Sequence, residues 1–356
     1  MASGAERRSS FAVWWPLGFA LLLTGLLVSE RFLFPSELHS FTEQREMMDT
    51  IVSITLFASD EEDAAAAFES AFSRMEDVVA VASIHDPQAE AARLNEAGRI
   101  DDPSSELVEI LGDAVRLSEA SRGAFDVTIG PLLELWQYDP SAERQFWDLD
   151  LEEQQAAIDE AKRLVGAARI HLRENPTAIE LDPGTTIDLG GIAKGYVADR
   201  GIEALLSAGI DHALIDAGGD IVVVGGKPDG SLWEISLRDP EAAAEPVARF
   251  ALRDGAIATS GNYLRFYDPN REIGHIMDPR TGFSAQVASS ATVIAMTCTE
   301  ADALATAVFV LGPVEGLAVI DELEGVEAMV LCYDDPTEIV RSAGLDRYEI
   351  QKKDET

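Results

Sequence analysis

The stretch that most constrains the fold runs from Thr297 to Gly312 and reads TCTEADALATAVFVLG. Thr299 suits an N-cap, Glu300 belongs to a first turn, and Gly312-Pro313 stops a helix. Ala, Leu, Val and Phe fill most other positions, so this helix must be covered on nearly every side. Only Asp302 and Thr306 interrupt it, at i and i+4, and share one face about one turn apart. Burying a carboxylate is costly unless it is paired or holds a cation. Two readings follow. Either Asp302 makes an internal hydrogen bond while Thr306 bonds back to its own helix, or the two oxygens hold Mg²⁺, which takes few protein ligands and leaves positions for phosphate and water.

The chain offers ample material to cover such a helix. Its 356 residues are 47% hydrophobic and 26% charged, unlike a disordered chain. A net charge of −37 disfavours nucleic acid and anionic lipid as partners, because phosphate contacts come from Lys and Arg. An anionic ligand therefore needs local help from a metal, a lysine or backbone N–H groups. Cys298 and Cys332 lie far apart between apolar neighbours, which fits buried free thiols and no zinc motif.

Arg7 and Arg8 precede an uncharged run from Phe11 to Val28. That run is adequate for a membrane span and longer than most signal-peptide cores. No Ala-x-Ala site follows, so residues 1–31 read as an uncleaved signal anchor rather than a cleaved signal peptide. The flanking arginines keep the short end in the cytoplasm and export the rest. Residues 32–44 read as a linker and 45–350 as a single mixed α+β domain of sheets packed with helices.

Within that domain, Met47 to Phe57 alternates as a strand, with Met48-Asp49-Thr50 at its head. Asp60 to Ser83 is an amphipathic helix, followed by a short helix through Leu94-Asn95 and another from Ser104 to Ala120. Gly123 to Pro131 reads as a loop with a short strand that leads to an apolar turn ending at Trp136. Residues 138–150 read as a mobile polar insertion, 151–164 as a helix and 168–181 as a β-hairpin.

Three glycine-rich passages follow. Asp188-Leu189-Gly190-Gly191-Ile192-Ala193-Lys194-Gly195 joins a strand to a helix. Free N–H groups there, with Lys194, make either a phosphate cradle or a plain tight turn. The spacing matches neither the dinucleotide fingerprint nor the P-loop. Ile215-Asp216-Ala217-Gly218-Gly219-Asp220-Ile221 places a close backbone approach between two short strands, with Asp220 as a turn residue. The third passage holds Ala258-Thr259-Ser260-Gly261-Asn262-Tyr263 and then His275-Ile276-Met277-Asp278-Pro279-Arg280-Thr281-Gly282, where His275 is an acid–base group or an ordinary strand histidine.

Taken together these passages resemble the ApbE family of FAD:protein FMN transferases. The matching stretches are Met48-Asp49-Thr50, 123–136, 187–199, 215–221, 258–263, 275–282 and 301–312, in the family order. The resemblance implies an exported, anchored enzyme of the bacterial inner membrane. Such an enzyme splits FAD at its pyrophosphate, moves FMN to a Thr or Ser hydroxyl of a target flavoprotein, releases AMP and uses Mg²⁺.

By the same resemblance, Asp302, Thr306 and the Gly191 carbonyl hold the metal, and the family often has Ala at position 191. Met48, Ala124, Phe125, Asp126, Asp188, Lys194, Thr259 and Ile276 contact FAD. Lys194 also stabilises charge during catalysis, with His275 as acid–base group and Asp302 as an alternative proton relay. Asp49 stands where the family commonly has Gly. Two rivals remain: a Mg²⁺-dependent FAD pyrophosphatase, and a non-catalytic flavin carrier or assembly factor.

Overall fold

His39–Met47 and Thr50–Ala58 form the antiparallel hairpin β1–β2, paired from His39↔Ala58 to Met47↔Thr50. This computed structural model describes residues 37–175, 177–238, 246–262, 266–268, 270, 273–335 and 337–351; the expected anchor lies outside them. The linker expected over 32–44 therefore gives way to a strand from His39 onward. β1 is an edge strand with no fully buried residue, so its sequence carries no apolar alternation to betray it.

Helix α1 (Glu61–Ala82) starts on Asp60, whose side chain accepts from the Asp63 N–H, and buries Ala64, Phe68, Phe72 and Met75 at helical spacing. Helix α2 (Glu90–Ala97) and the short strand β3 (Arg99–Asp101) lead to α3 (Ser105–Ala120), capped by Ser104. The short strand expected within 123–131 is instead a 3₁₀ turn over Val127–Ile129 that runs into α4 (Gly130–Trp136). Asp126 causes it by accepting from the Thr128 N–H at 2.8 Å, a local bond that competes with strand pairing.

The insertion over 138–150 is not a detached polar loop. It carries a 3₁₀ turn at Phe146–Asp148, and Phe146 meets Trp136 edge-on with ring centroids 4.8 Å apart. Helix α5 (Leu151–Lys162) follows on an Asp150 capping box. Next come strands β4 (Ile170–Glu174) and β5 (Thr177–Leu181), which join β3 in a small sheet of order β3-β5-β4.

Helix α6 (Ala193–Ser207) enters the main core, followed by β6 (Ala213–Ala217) and β7 (Ile221–Val224). A separate hairpin, β8 (Trp233–Arg238) and β9 (Pro246–Leu252), precedes β10 (Gly255–Gly261) and β11 (Ala288–Ala295). Helix α7 (Cys298–Ile320), β12 (Glu327–Cys332) and β13 (Ile339–Arg341) complete the chain. The main sheet runs β1-β2-β6-β7-β10-β11-β12-β13, antiparallel throughout.

Strand alternation gives this sheet two apolar faces. Val52, Ile54, Ile215, Ala256, Ala258 and Val293 face the helices, whereas Val223, Ile257, Ile294 and Met329 face the β8–β9 hairpin. α7 lies on β10, β11 and β12 and against α6. It is long and apolar enough to cross a membrane, but it is the central helix of the main core. Its N-cap is Thr297, not Thr299: the Thr297 side chain accepts from the Glu300 N–H at 3.2 Å. Gly312, with φ 74°, breaks the helix as expected, yet a second segment resumes at Pro313 and runs to Ile320.

Candidate active site

Two hairpin turns lie side by side at one end of the main sheet. Between β1 and β2, Met48 and Asp49 adopt φ of 53° and 57°, the conformation of a two-residue turn that normally takes Asn or Gly. Between β6 and β7, Gly218 comes so close to Thr50 that an added Cβ would lie 2.4 Å from its hydroxyl oxygen. Asp220, at the end of that turn, is buried and forms an ion pair with Lys194 at the start of α6. The sequence reading of Asp220 as a mere turn residue missed this partnership. The signal was an acidic residue directly before a buried strand.

α6 and α7 cross with their N-terminal ends in contact. A Cβ on Gly195 would sit 2.2 Å from the Cys298 carbonyl oxygen, so only glycine permits the crossing. Each helix caps the other. Asp302 of α7 accepts from the Gly195 N–H at 3.1 Å, while Asp199 of α6 accepts from the Cys298 and Thr299 N–H groups at 2.8 Å each. The Thr299 hydroxyl donates to Asp199 as well, at 2.5 Å, which is why it does not cap its own helix. Burial pushes the Asp199 carboxyl up from the ordinary range, against the pull of these three bonds. Burial likewise holds the Cys298 thiol well above its ordinary value, so it is inert.

Thr306, one turn beyond Asp302, meets two further elements. Its Oγ1 lies 3.2 Å from the Ser260 Oγ at the end of β10, and a Cβ on Gly191 would lie 3.3 Å from it. The Phe125 ring closes on the same glycine, also 3.3 Å from that Cβ position. Gly191, Thr306 and Phe125 thus meet, with Asp302 one turn before Thr306 on α7 and Lys194 directly before Gly195, the residue that Asp302 binds. Thr259 does not join them. Alternation turns its side chain to the opposite face of the sheet, where its hydroxyl is 2.9 Å from that of Thr292. The hydroxyl on the helix side belongs to Ser260.

The remaining predicted residues are held on other segments. Asp188 accepts from the Gly190 N–H at 2.8 Å and donates its own N–H to the Val127 carbonyl at 2.7 Å, joining the glycine turn to the 123–129 loop. Asp126 is buried and takes bonds from Ser118, Thr128 and the Ala167 N–H, so its carboxylate is engaged internally. Ala124 is buried in the main core. Ile276 is held by Asn262, whose Oδ1 accepts from the Ile276 N–H at 3.0 Å and whose Nδ2 donates to the Ala285 carbonyl at 3.2 Å. His275 is half-buried on the same segment. Burial, with the Asp188 charge second, leaves the nearby Tyr267 phenol pushed up to about 12.

The convergent donors are a carboxylate, a hydroxyl and a main-chain segment, all oxygen and all suited to a hard divalent cation. Among the described residues no cluster of three His, Cys, Asp or Glu side chains stands where it could hold a metal.

Residues 48–330 match the family model described as the ApbE family. The chain belongs to the ApbE family. A Haemophilus influenzae protein named FAD:protein FMN transferase is 32% identical over 260 residues, 70% of this chain and 73% of that one. A Treponema pallidum protein of the same name is 34% identical over 247 residues, 64% and 66% of the two chains. The crystal structure of the ApbE protein from Thermotoga maritima aligns with TM-score 0.77 at 27% identity, covering 88% of this chain and all of that one. The match to this ApbE-family chain, from Met48 to Val330, takes in both hairpin turns, the glycine turn before α6, the end of β10 and the α6–α7 crossing.

Proposed function

We propose that this chain is an FAD:protein FMN transferase that moves the FMN half of FAD onto a Thr or Ser hydroxyl of an acceptor protein, releasing AMP, with Mg²⁺ as cofactor. The observation that carries this reading is the meeting of Thr306 with Gly191 one turn from Asp302, beside the Lys194–Asp220 pair that joins the start of α6 to the β6–β7 turn. Family membership and the names of the relatives support it.

Asp302, Thr306 and the Gly191 carbonyl would hold Mg²⁺, which when bound supplies Lewis-acid activation and charge neutralisation at the pyrophosphate. The protein's own groups do the rest. The Gly195 N–H fixes one Asp302 oxygen and leaves the other available. Asp220 holds Lys194 at the mouth of the glycine turn, where its ammonium faces the phosphates as charge builds on the leaving AMP. His275 takes the proton of the acceptor hydroxyl as its oxygen bonds to the FMN-side phosphorus and the P–O bond to AMP breaks. With its carboxylate engaged internally, Asp126 contacts the nucleotide through its main chain, as do Ala124 and Phe125. Met48, Asp188 and Ile276 line the flavin end.

Arg7, Arg8 and the uncharged Phe11–Val28 segment support an anchor in the inner membrane, with the enzyme on the extracytoplasmic side. The acceptor is then a membrane-associated or periplasmic flavoprotein.

Incubating the full chain with FAD, Mg²⁺ and such an acceptor tests the proposal by intact mass. The expected result is an FMN adduct on the acceptor with AMP released, abolished by Asp302→Ala or by chelation. Free FMN with an unmodified acceptor marks a pyrophosphatase, and intact bound FAD marks a carrier; either overturns the transferase.

A further inference from the structure

We infer that Ser260 is a positioning residue for the metal site: its hydroxyl fixes the orientation of the Thr306 hydroxyl so that Thr306 presents a lone pair to the cation. The inference rests on the Mg²⁺ reading above and adds to it a residue outside the proposed ligand set.

The geometry is specific. Ser260 and Thr306 come from separate elements, the end of β10 and the middle of α7, and their oxygens lie 3.2 Å apart. β10 alternates, so Ala256, Ala258 and Ser260 face α7 while Ile257 and Thr259 face the β8–β9 hairpin. Below Ser260 every helix-facing position of β10 is alanine. A hydroxyl replaces a methyl at the one level where it meets Thr306.

A threonine hydroxyl that binds a cation does so through a lone pair and keeps its proton, which then needs an acceptor. On a helix the usual acceptor is the carbonyl one turn back, and that bond fixes the rotor relative to its own helix. Ser260 offers an acceptor from the sheet instead and ties the helix ligand to the strand that borders the site. Partners of this kind set ligand orientation, and their loss typically costs 10–100-fold in metal affinity. Gly191 meets the same Thr306 oxygen from a third element, so the hydroxyl sits where three parts of the chain meet.

The test is calorimetric titration of the full chain with Mn²⁺ alone, for the parent, Ser260→Ala, Ser260→Thr and Asp302→Ala. Ser260→Ala is expected to weaken Mn²⁺ binding about tenfold, with its melting temperature within a few degrees of the parent. Ser260→Thr, which restores a hydroxyl, is expected to bind within about twofold of the parent. Parental affinity in Ser260→Ala, with Asp302→Ala unable to bind, overturns the role of Ser260 and leaves the metal reading standing. Equal weakening in Ser260→Ala and Ser260→Thr also overturns it, since the hydroxyl is then not what matters. Parental affinity in Asp302→Ala overturns the metal reading and this inference together.

Discussion

The α6–α7 crossing and the aromatic unit around Trp136 hold the chain together in opposite ways. At the crossing there is no spare volume: glycine lies against a main-chain carbonyl, and aspartates on each helix satisfy the other's N–H groups. Around Trp136, volume itself is the support. Its ring meets Phe146 and Phe283, its indole N–H donates to the Gly282 carbonyl at 2.9 Å, and Leu132, Ile158 and Met277 fill the space beneath. The first arrangement fixes Asp302, a proposed metal ligand, against the start of α6. The second anchors the Asp-Pro-Arg-Thr-Gly turn, and through it the segment bearing His275 and Ile276, to a layer outside the main core. Adding atoms should damage the crossing, and removing them should damage the aromatic unit.

Removing the most atoms gives the largest effect. Trp136→Ala takes away a buried ring and a buried hydrogen bond, at a cost of about 3–5 kcal/mol. Urea unfolding measures that loss. Limited proteolysis should place new cleavage within 138–150 and near 280, with Mn²⁺ affinity kept at the crossing. Cleavage spread evenly over the chain would show that the two regions are one unit.

Adding a single methyl at Gly195 is the converse experiment. The Cys298 carbonyl cannot yield without moving α7, so Gly195→Ala should cost about 3 kcal/mol and weaken Mn²⁺ binding as well. Loss of stability without loss of metal affinity would separate the packing of the crossing from the placement of Asp302.

Asp199 tests the capping half of the comparison. Asp199→Ala strands the Cys298 and Thr299 N–H groups and the Thr299 hydroxyl, a loss of about 2 kcal/mol. Its pH dependence has a definite sign. Because the folded-state pKa is raised above the ordinary 3.8, the proton binds more tightly in the folded chain. The stabilisation is full below that ordinary value and is lost as pH rises through the raised one. The deficit of Asp199→Asn relative to the parent should therefore narrow between acidic and neutral pH. Urea unfolding across that range checks it, and a deficit that widens would mean the carboxylate is favoured by its three donors.

These regions also differ in how far the sequence exposes them. The α7 pattern was legible because two polar side chains at i and i+4 stand out in an apolar helix, and Gly312-Pro313 marks its break. Asp199 was not, since an acidic residue at a partly exposed helix position looks solvated until a second helix arrives. Its claim on Thr299 also explains the misplaced N-cap. The Met48-Asp49 turn lacks the glycine or asparagine that flags positive φ. β1 has no buried face to alternate, and the aromatics at 146 and 147 sit in a polar segment whose partner, Trp136, is defined only by the fold. Thr259 against Ser260 is a matter of strand phase, fixed by pairing with β11 and invisible in one strand alone.

The smallest effect sharpens the comparison most, because it uses the same substitution four residues away. A Cβ on Gly191 would meet the Phe125 ring and the Thr306 hydroxyl at 3.3 Å, side-chain atoms that can shift by a few tenths of an ångström. Gly191 has no positive φ to lose, and alanine at this position reduces the freedom of the unfolded chain. Gly191→Ala should change stability by no more than about 0.5 kcal/mol and leave Mn²⁺ affinity within about twofold, since the carbonyl and not the side chain serves the cation. Thermal unfolding and calorimetry on Gly191→Ala beside Gly195→Ala give the contrast directly. Equal damage from both would mean that Thr306, like the Cys298 carbonyl, has no room to move, and the site would then be rigid through its side chains as well as its backbone.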